Sequence, residues 1–143
     1  SLGSGGSLGS GGSLGSGGAD DGGGTPACGD YTAPIGKCPA ACSRCEDGIC
    51  YMDCTGPSAC AYQALFCPKN WACNLTCSGV AACEYATMKC GEGPCALTCI
   101  GVGACFYATF ICGANSCEDS CTGAGNNVIA VSTASCQFTH QGC

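Results

Sequence analysis

Between Cys50 and Cys143 the apolar residues fall in short mixed stretches and never in long runs. Cys73-Asn74-Leu75-Thr76-Cys77 and Tyr85-Ala86-Thr87-Met88-Lys89-Cys90 are representative: a few residues that tolerate an extended backbone, closed off by Gly or Pro. Helices of ten or more residues have no room between these punctuators, so the pattern predicts short β-strands joined by turns.

The strands repeat. Cys95-x3-Cys99-x5-Cys105-x6-Cys112 has the spacing of Cys73, Cys77, Cys83 and Cys90, and of Cys50, Cys54, Cys60 and Cys67. Units start at Cys50, Cys73, Cys95 and Cys117, offsets of 23, 22 and 22 residues. A period in this range marks a solenoid, in which each coil buries its apolar face only against its neighbours. A Gly follows the second cysteine by two at Gly56, Gly79, Gly101 and Gly123, and an aromatic follows the third by two at Tyr62, Tyr85, Tyr107 and Phe138. The last unit keeps four cysteines, Cys117, Cys121, Cys136 and Cys143, only if residues 126–135 are read as an insertion. That insertion holds the turn signal Asn126-Asn127 and the β-branched run Val128-Ile129-Ala130-Val131.

Stacked short parallel strands at about 4.8 Å per coil predict an all-β fold: a small disulfide-rich β-solenoid of about four 22-residue coils over residues 50–143, roughly 20 Å long. Residues 28–49 depart from the spacing, with Cys28, Cys38, Cys42 and Cys45 set among Pro34 and Pro39. They are expected to form an N-terminal cap over an otherwise open sheet edge.

Composition explains what holds such a fold together. Twenty of 143 residues are cysteine, an even number and a density that points to a disulfide scaffold. Without them the apolar set is mostly Ala and too thin for an ordinary core. All twenty are therefore expected in bridges, preferentially within each coil, although pairing between adjacent coils also fits the spacing. That density persists only in an oxidising compartment, extracellular or at the cell surface. The rival use of thiols, a zinc site at Cys42-Ser43-Arg44-Cys45, lacks a second matching pair, and no metal is expected. The six-cysteine spacing of epidermal-growth-factor-like knots is not found either.

Residues 1–18 are three copies of Ser-Leu-Gly-Ser-Gly-Gly, with Gly at every third position and Ser at 1, 4, 7, 10, 13 and 16. A period of three matches a polyproline II or polyglycine II-like helix with Ser on one edge, Gly on another, and Leu2, Leu8 and Leu14 alternating with Gly on the third. The plainer reading is a flexible Gly/Ser linker. Ordering such an arm costs ~1–2 kcal/mol per residue with nothing buried in return, so a rod would need neighbouring chains or a coat of glycans. Pro is absent, which argues against a collagen helix. Residues 19–27, with Asp20-Asp21 and three consecutive Gly, read as a hinge.

The units Ala82-Cys83-Glu84-Tyr85-Ala86-Thr87-Met88-Lys89-Cys90 and Ala104-Cys105-Phe106-Tyr107-Ala108-Thr109-Phe110-Ile111-Cys112 resemble the cysteine-rich right-handed β-helix repeats of secreted and surface proteins of unicellular eukaryotes, including those of flagellar hairs. The arm's Ser edge resembles the O-glycosylated Ser-rich repeats of extracellular glycoprotein fibres. These resemblances imply an architectural protein with covalent glycans and no other cofactor, O-linked at Ser1, Ser4, Ser7, Ser10, Ser13 and Ser16.

Candidate chemistry is sparse. Asn74-Leu75-Thr76 is an N-glycosylation sequon. His140 is the one histidine and follows no nucleophile motif, and Asp47, Asp53, Glu118 and Asp119 read as solvated loop charges in place of a paired-carboxylate site. No enzyme activity is expected. The net charge is −6, and four scattered basic residues exclude a phosphate-tracking nucleic-acid surface. No apolar run reaches the length of a membrane span. The chain opens without Met and in mid-repeat, which suggests a processed or partial product of a longer precursor. The expectation is a structural subunit of an extracellular fibril, self-associating through Leu2, Leu8 and Leu14 of the arm and through Val128, Ile129 and Val131. The alternative is a secreted monomeric binding module, glycan-binding or toxin-like, on a flexible tail.

Overall fold

The computed structural model describes Cys28 and residues 31–143. The arm and its serines and leucines, and the hinge, lie outside these residues.

The strands are β1 (Arg44–Glu46), β2 (Ile49–Thr55), β3 (Ala64–Phe66), β4 (Ala72–Ser78), β5 (Thr87–Lys89), β6 (Cys95–Ile100), β7 (Phe106–Ile111), β8 (Cys117–Thr122), β9 (Asn127–Val131) and β10 (Phe138–Gln141). They form two sheets. One has six strands in the order β10-β8-β6-β4-β2-β1, the other four in the order β9-β7-β5-β3. Every pairing is parallel except β1 on β2, which is antiparallel. Each coil contributes one strand to each sheet, and the chain advances one rung per coil. This is the disulfide-rich all-β solenoid of about four 22-residue coils that the repeat predicts.

Equivalent residues fall on one another. Met52, Leu75, Leu97 and Asp119 form the central inward column of the six-stranded sheet, with Cys50, Cys73, Cys95 and Cys117 on one side and Cys54, Cys77, Cys99 and Cys121 on the other. Leu65, Met88 and Phe110 line up in the four-stranded sheet. Leu75, Leu97, Met88 and Phe110 are essentially sealed from solvent. Burial of that kind is worth ~1.5–3 kcal/mol per side chain, and each coil supplies only about two such residues. Half-cystines and small residues such as Ala82, Ala86, Ala104 and Ala108 fill most of the rest of the interior.

The disulfides use both ends of each strand. Cys54–Cys60, Cys77–Cys83 and Cys99–Cys105 close the turn within a coil. Cys67–Cys73, Cys90–Cys95 and Cys112–Cys117 instead join the end of one coil to the start of the next. Pairing wholly within each four-cysteine unit is therefore corrected: the chain leaves one coil through a corner that brings the fourth cysteine against the first cysteine of the following rung.

The turn side carries the Gly ladder. A methyl group on Gly79 would lie 2.6 Å from the carbonyl oxygen of Gly56, and one on Gly123 would lie 2.7 Å from that of Gly101. These glycines also have φ of 131° and 114°. Only Gly satisfies both demands. Beyond each, residues with left-handed backbone alternate along the turn: Ser58, Cys60 and Tyr62, then Ala81, Cys83 and Tyr85, then Gly103, Cys105 and Tyr107. Such a conformation costs a bulky side chain of order 1 kcal/mol or more. Hydrogen bonds along the stack offset it, with the N–H groups of Gly79, Ala81 and Tyr85 donating to the carbonyls of Ile100, Val102 and Phe106 on the next coil.

Two expectations about the ends are corrected. Residues 126–135 are not an insertion: Val128, Ile129, Ala130 and Val131 pair with Ala108, Thr109, Phe110 and Ile111, so β9 is the regular second strand of the fourth coil. Phe138 pairs with Cys117 and opens a further rung, so it does not continue the Tyr62, Tyr85, Tyr107 column. Cys136 and Cys143 belong to that rung as well. At the other end, β1 pairs antiparallel with β2, and the Cys38–Cys45 and Cys42–Cys50 bridges cross-link this segment and tie it to the first coil. The preceding residues do something else. Cys28 is bonded to Cys136, and Tyr31 reaches the second and third coils, donating from its hydroxyl to the Asn70 carbonyl at 3.1 Å and accepting from the Ala72 N–H at 2.8 Å. Ala33 packs against Gly48 near the first coil. This segment is a strap running down the length of the stack.

Candidate functional sites: the open end of the solenoid and the Asp119–His140 pair

The six-stranded sheet projects one strand beyond the four-stranded sheet at each end, by β1 at the start and by β10 at the finish. The four-stranded sheet is thereby left with β3 and β9 as set-back edges. On β9, Val128 turns into the core and is buried, whereas Ile129 and Val131 are 48% and 42% exposed. Of the three predicted contact residues on this strand, two are therefore available and Val128 is corrected to a core residue. Their alternation follows from the pleat, which sends neighbouring side chains to opposite faces.

The turn side carries an aromatic column. Tyr62 stacks on Tyr85 with ring centres 5.3 Å apart, Tyr85 stacks on Tyr107 at 5.8 Å, and Phe106 meets both Tyr85 and Tyr107 edge-on. Val80 and Val102 stand exposed beside it. The spacing of the aromatics was legible in the repeat, but their left-handed backbone and mutual stacking were not. Tyr62, at the end of the column with one stacking partner, is the most exposed of the three tyrosines.

Asp119 was read as a solvated loop charge, and the structure overturns that. It occupies the column position held by Leu75 and Leu97 and is 1% exposed. His140 pairs with it on the terminal rung, Nδ1 standing 2.7 Å from Oδ1. The approach is not aligned as a hydrogen bond, and neither carboxylate oxygen has a hydrogen-bond partner among the described residues. The contact is a charge pair when the imidazole is protonated. An ionised carboxylate in this place is costly without such a partner. The imidazole is half exposed. The signal was present in the repeat: an acidic residue two positions before the second cysteine, where the preceding coils have Met52, Leu75 and Leu97.

The other carboxylates do not converge on this pair. Glu118 points to the outer face, where loss of surrounding water raises its pKa, the neighbouring Asp119 charge adding to the effect. Asp53 lies 3.7 Å from Arg44, whose guanidinium also stacks over Tyr51. Cys38, Cys42 and Cys45 bring three sulfurs together, all in disulfides: the Cys-x2-Cys pair is divided between Cys50 and Cys38 as partners. Each of the twenty predicted cysteines is bridged. Asn74 lies on the outer face of β4, partly exposed. A corner groove lined by Phe66, Lys69, Lys89 and Glu92 is shallow and open. No helix among the described residues is long and apolar enough to cross a membrane.

Comparison with family models, with curated proteins and with solved structures found no match to this chain.

Proposed function

We propose that this protein is a structural subunit of an extracellular fibril or surface appendage, a disulfide-laced rod whose Ser/Gly arm makes the contacts of assembly and carries O-linked glycans. Its partners are further copies of itself and their glycans. The observation that carries the reading is the Cys28–Cys136 bond, which fixes the root of the arm at the end of the rod where β9 and β10 form a step. The exposed Ile129 and Val131 on that step, the density of disulfides and the resemblance to surface β-helix repeats support it. Sedimentation velocity and negative-stain microscopy of the full chain test it. Concentration-dependent filaments that are lost in Ile129→Lys/Val131→Lys are expected. A stable monomer at all concentrations refutes the reading.

The second reading, a secreted binding module, draws on the exposed Tyr62, Tyr85 and Tyr107 column. It requires a monomer whose binding to a glycan array is lost in Tyr62→Ala and Tyr85→Ala.

A further inference from the structure

We propose that the free edge of β9 is the receptor for the arm, residues 1–18 of this sequence, one Ser-Leu-Gly-Ser-Gly-Gly hexad of the same or a neighbouring copy adding to it as a fifth strand of the smaller sheet. The inference rests on the reading of those residues as the assembling arm and names the surface that receives them.

Four observations point to this occupant. The edge is set back: β10 stands one rung beyond it, so placing β3 of a second copy on β9 would put that copy's β2 where β10 already lies. What fits the step is a strand without a coil attached. Secondly, the inward column Leu65, Met88, Phe110 ends in Ala130, a small half-buried residue that leaves the end of the core thinly covered. Thirdly, the hexad has an even period, so in an extended strand Leu2, Leu8 and Leu14 fall on one side, spaced by Ser4, Ser10 and Ser16 and by Gly, while the other holds only Ser and Gly; the serine on the Leu side of the docked hexad is then one that carries no glycan. A Leu set above Ala130 closes the column. Fourthly, the arm's root is held here. The strap passes Tyr31 beside the second and third coils and reaches Cys136 at the start of the last rung, so the 27 residues before Cys28 start from this end. At roughly 3.3 Å per extended residue they reach their own β9 or that of a neighbouring copy with length to spare.

Two measurements on the full chain test the proposal. In the first, amide hydrogen exchange is compared between the wild type and Leu2→Asp/Leu8→Asp/Leu14→Asp. Exchange across residues 127–131 is expected to quicken about tenfold in the variant, with β4 and β6 unchanged; equal rates in the two proteins overturn the proposal. In the second, a photo-reactive phenylalanine analogue replaces Leu8, and the adducts are mapped by mass spectrometry in a mixture of heavy- and light-isotope protein. Adducts on residues 127–131 support the proposal, and adducts elsewhere or none refute it even if filaments form. Heavy–light adducts support the assembly reading too. Adducts confined to one chain keep the β9 site and remove the arm from assembly.

Discussion

Cys28 is covalently joined to Cys136 across 108 residues of sequence, and the chain between them holds nine of the ten strands, all but β10. The other bridges span 5 to 8 residues, apart from Cys121–Cys143 at 22. Cross-linking restrains the unfolded chain in proportion to the logarithm of the loop closed, about 2 kcal/mol for six residues and close to 5 kcal/mol for a hundred. One bond therefore ties the first described residue to the last rung and does more than any single corner bridge.

Replacing Cys28 and Cys136 together by Ser is accordingly expected to lower the stability by up to about 5 kcal/mol, and replacing Cys54 and Cys60 by about 2 kcal/mol. Calorimetry under non-reducing conditions reads both. Equal losses would contradict the strap as a long-range tie.

Tyr31 fastens the strap at mid-length. Tyr31→Phe removes the acceptor for the Ala72 N–H and should cost about 1–3 kcal/mol, the penalty for an unpaired buried donor. Partial burial raises the phenol above its ordinary value of 10.0, the Ala72 hydrogen bond pulling the other way. A raised acid favours its protonated form in the fold, so this contribution is complete below pH 10 and is lost as the pH climbs through the folded value. A late-titrating phenolate absorbance that vanishes in Tyr31→Phe is the expected result.

The Asp119–His140 pair predicts an asymmetry. His140→Leu strands a buried carboxylate and should cost about 3–5 kcal/mol, whereas Asp119→Leu with His140→Leu extends the Met52, Leu75, Leu97 column and should be neutral or stabilising. Denaturant midpoints of the two variants decide it, and a double variant as unstable as the single one would contradict the assignment.

The Gly ladder supplies an internal control. Gly56 has φ of 113° but nothing within 4 Å of an added methyl, while Gly79 has a comparable φ and a carbonyl oxygen at 2.6 Å. Gly56→Ala should cost only the backbone strain, of order 1 kcal/mol, and Gly79→Ala distinctly more, because the coil beneath cannot yield. Thermal melts would show the order.

How far the sequence could be read follows from which constraints are local. The Cys and Gly spacing recurs once per coil, so coil count, strand positions and the Gly and Tyr columns were legible between Cys50 and Cys112. The last coil was not. Matching cysteines alone placed Cys136 and Cys143 in the wrong rung, because β9 keeps its place by pairing with β7 and needs no cysteine to do so. The strap was hidden for a different reason: Tyr31 meets Ala72 through a single hydroxyl 41 residues away, which leaves no periodic trace. Asp119 was visible as a departure from Leu75 and Leu97, and only the register with His140 gives that departure a cause.

Ten specific bridges hold together a thin stack of coils. Proteolysis under non-reducing conditions with mass mapping of the linked peptides tests it most directly. The fold requires Cys28 linked to Cys136, alternate bridges within coils such as Cys77–Cys83 and between coils such as Cys90–Cys95, and no free thiol. Free thiols in number, bound zinc, or Cys90 linked within its own coil would contradict it.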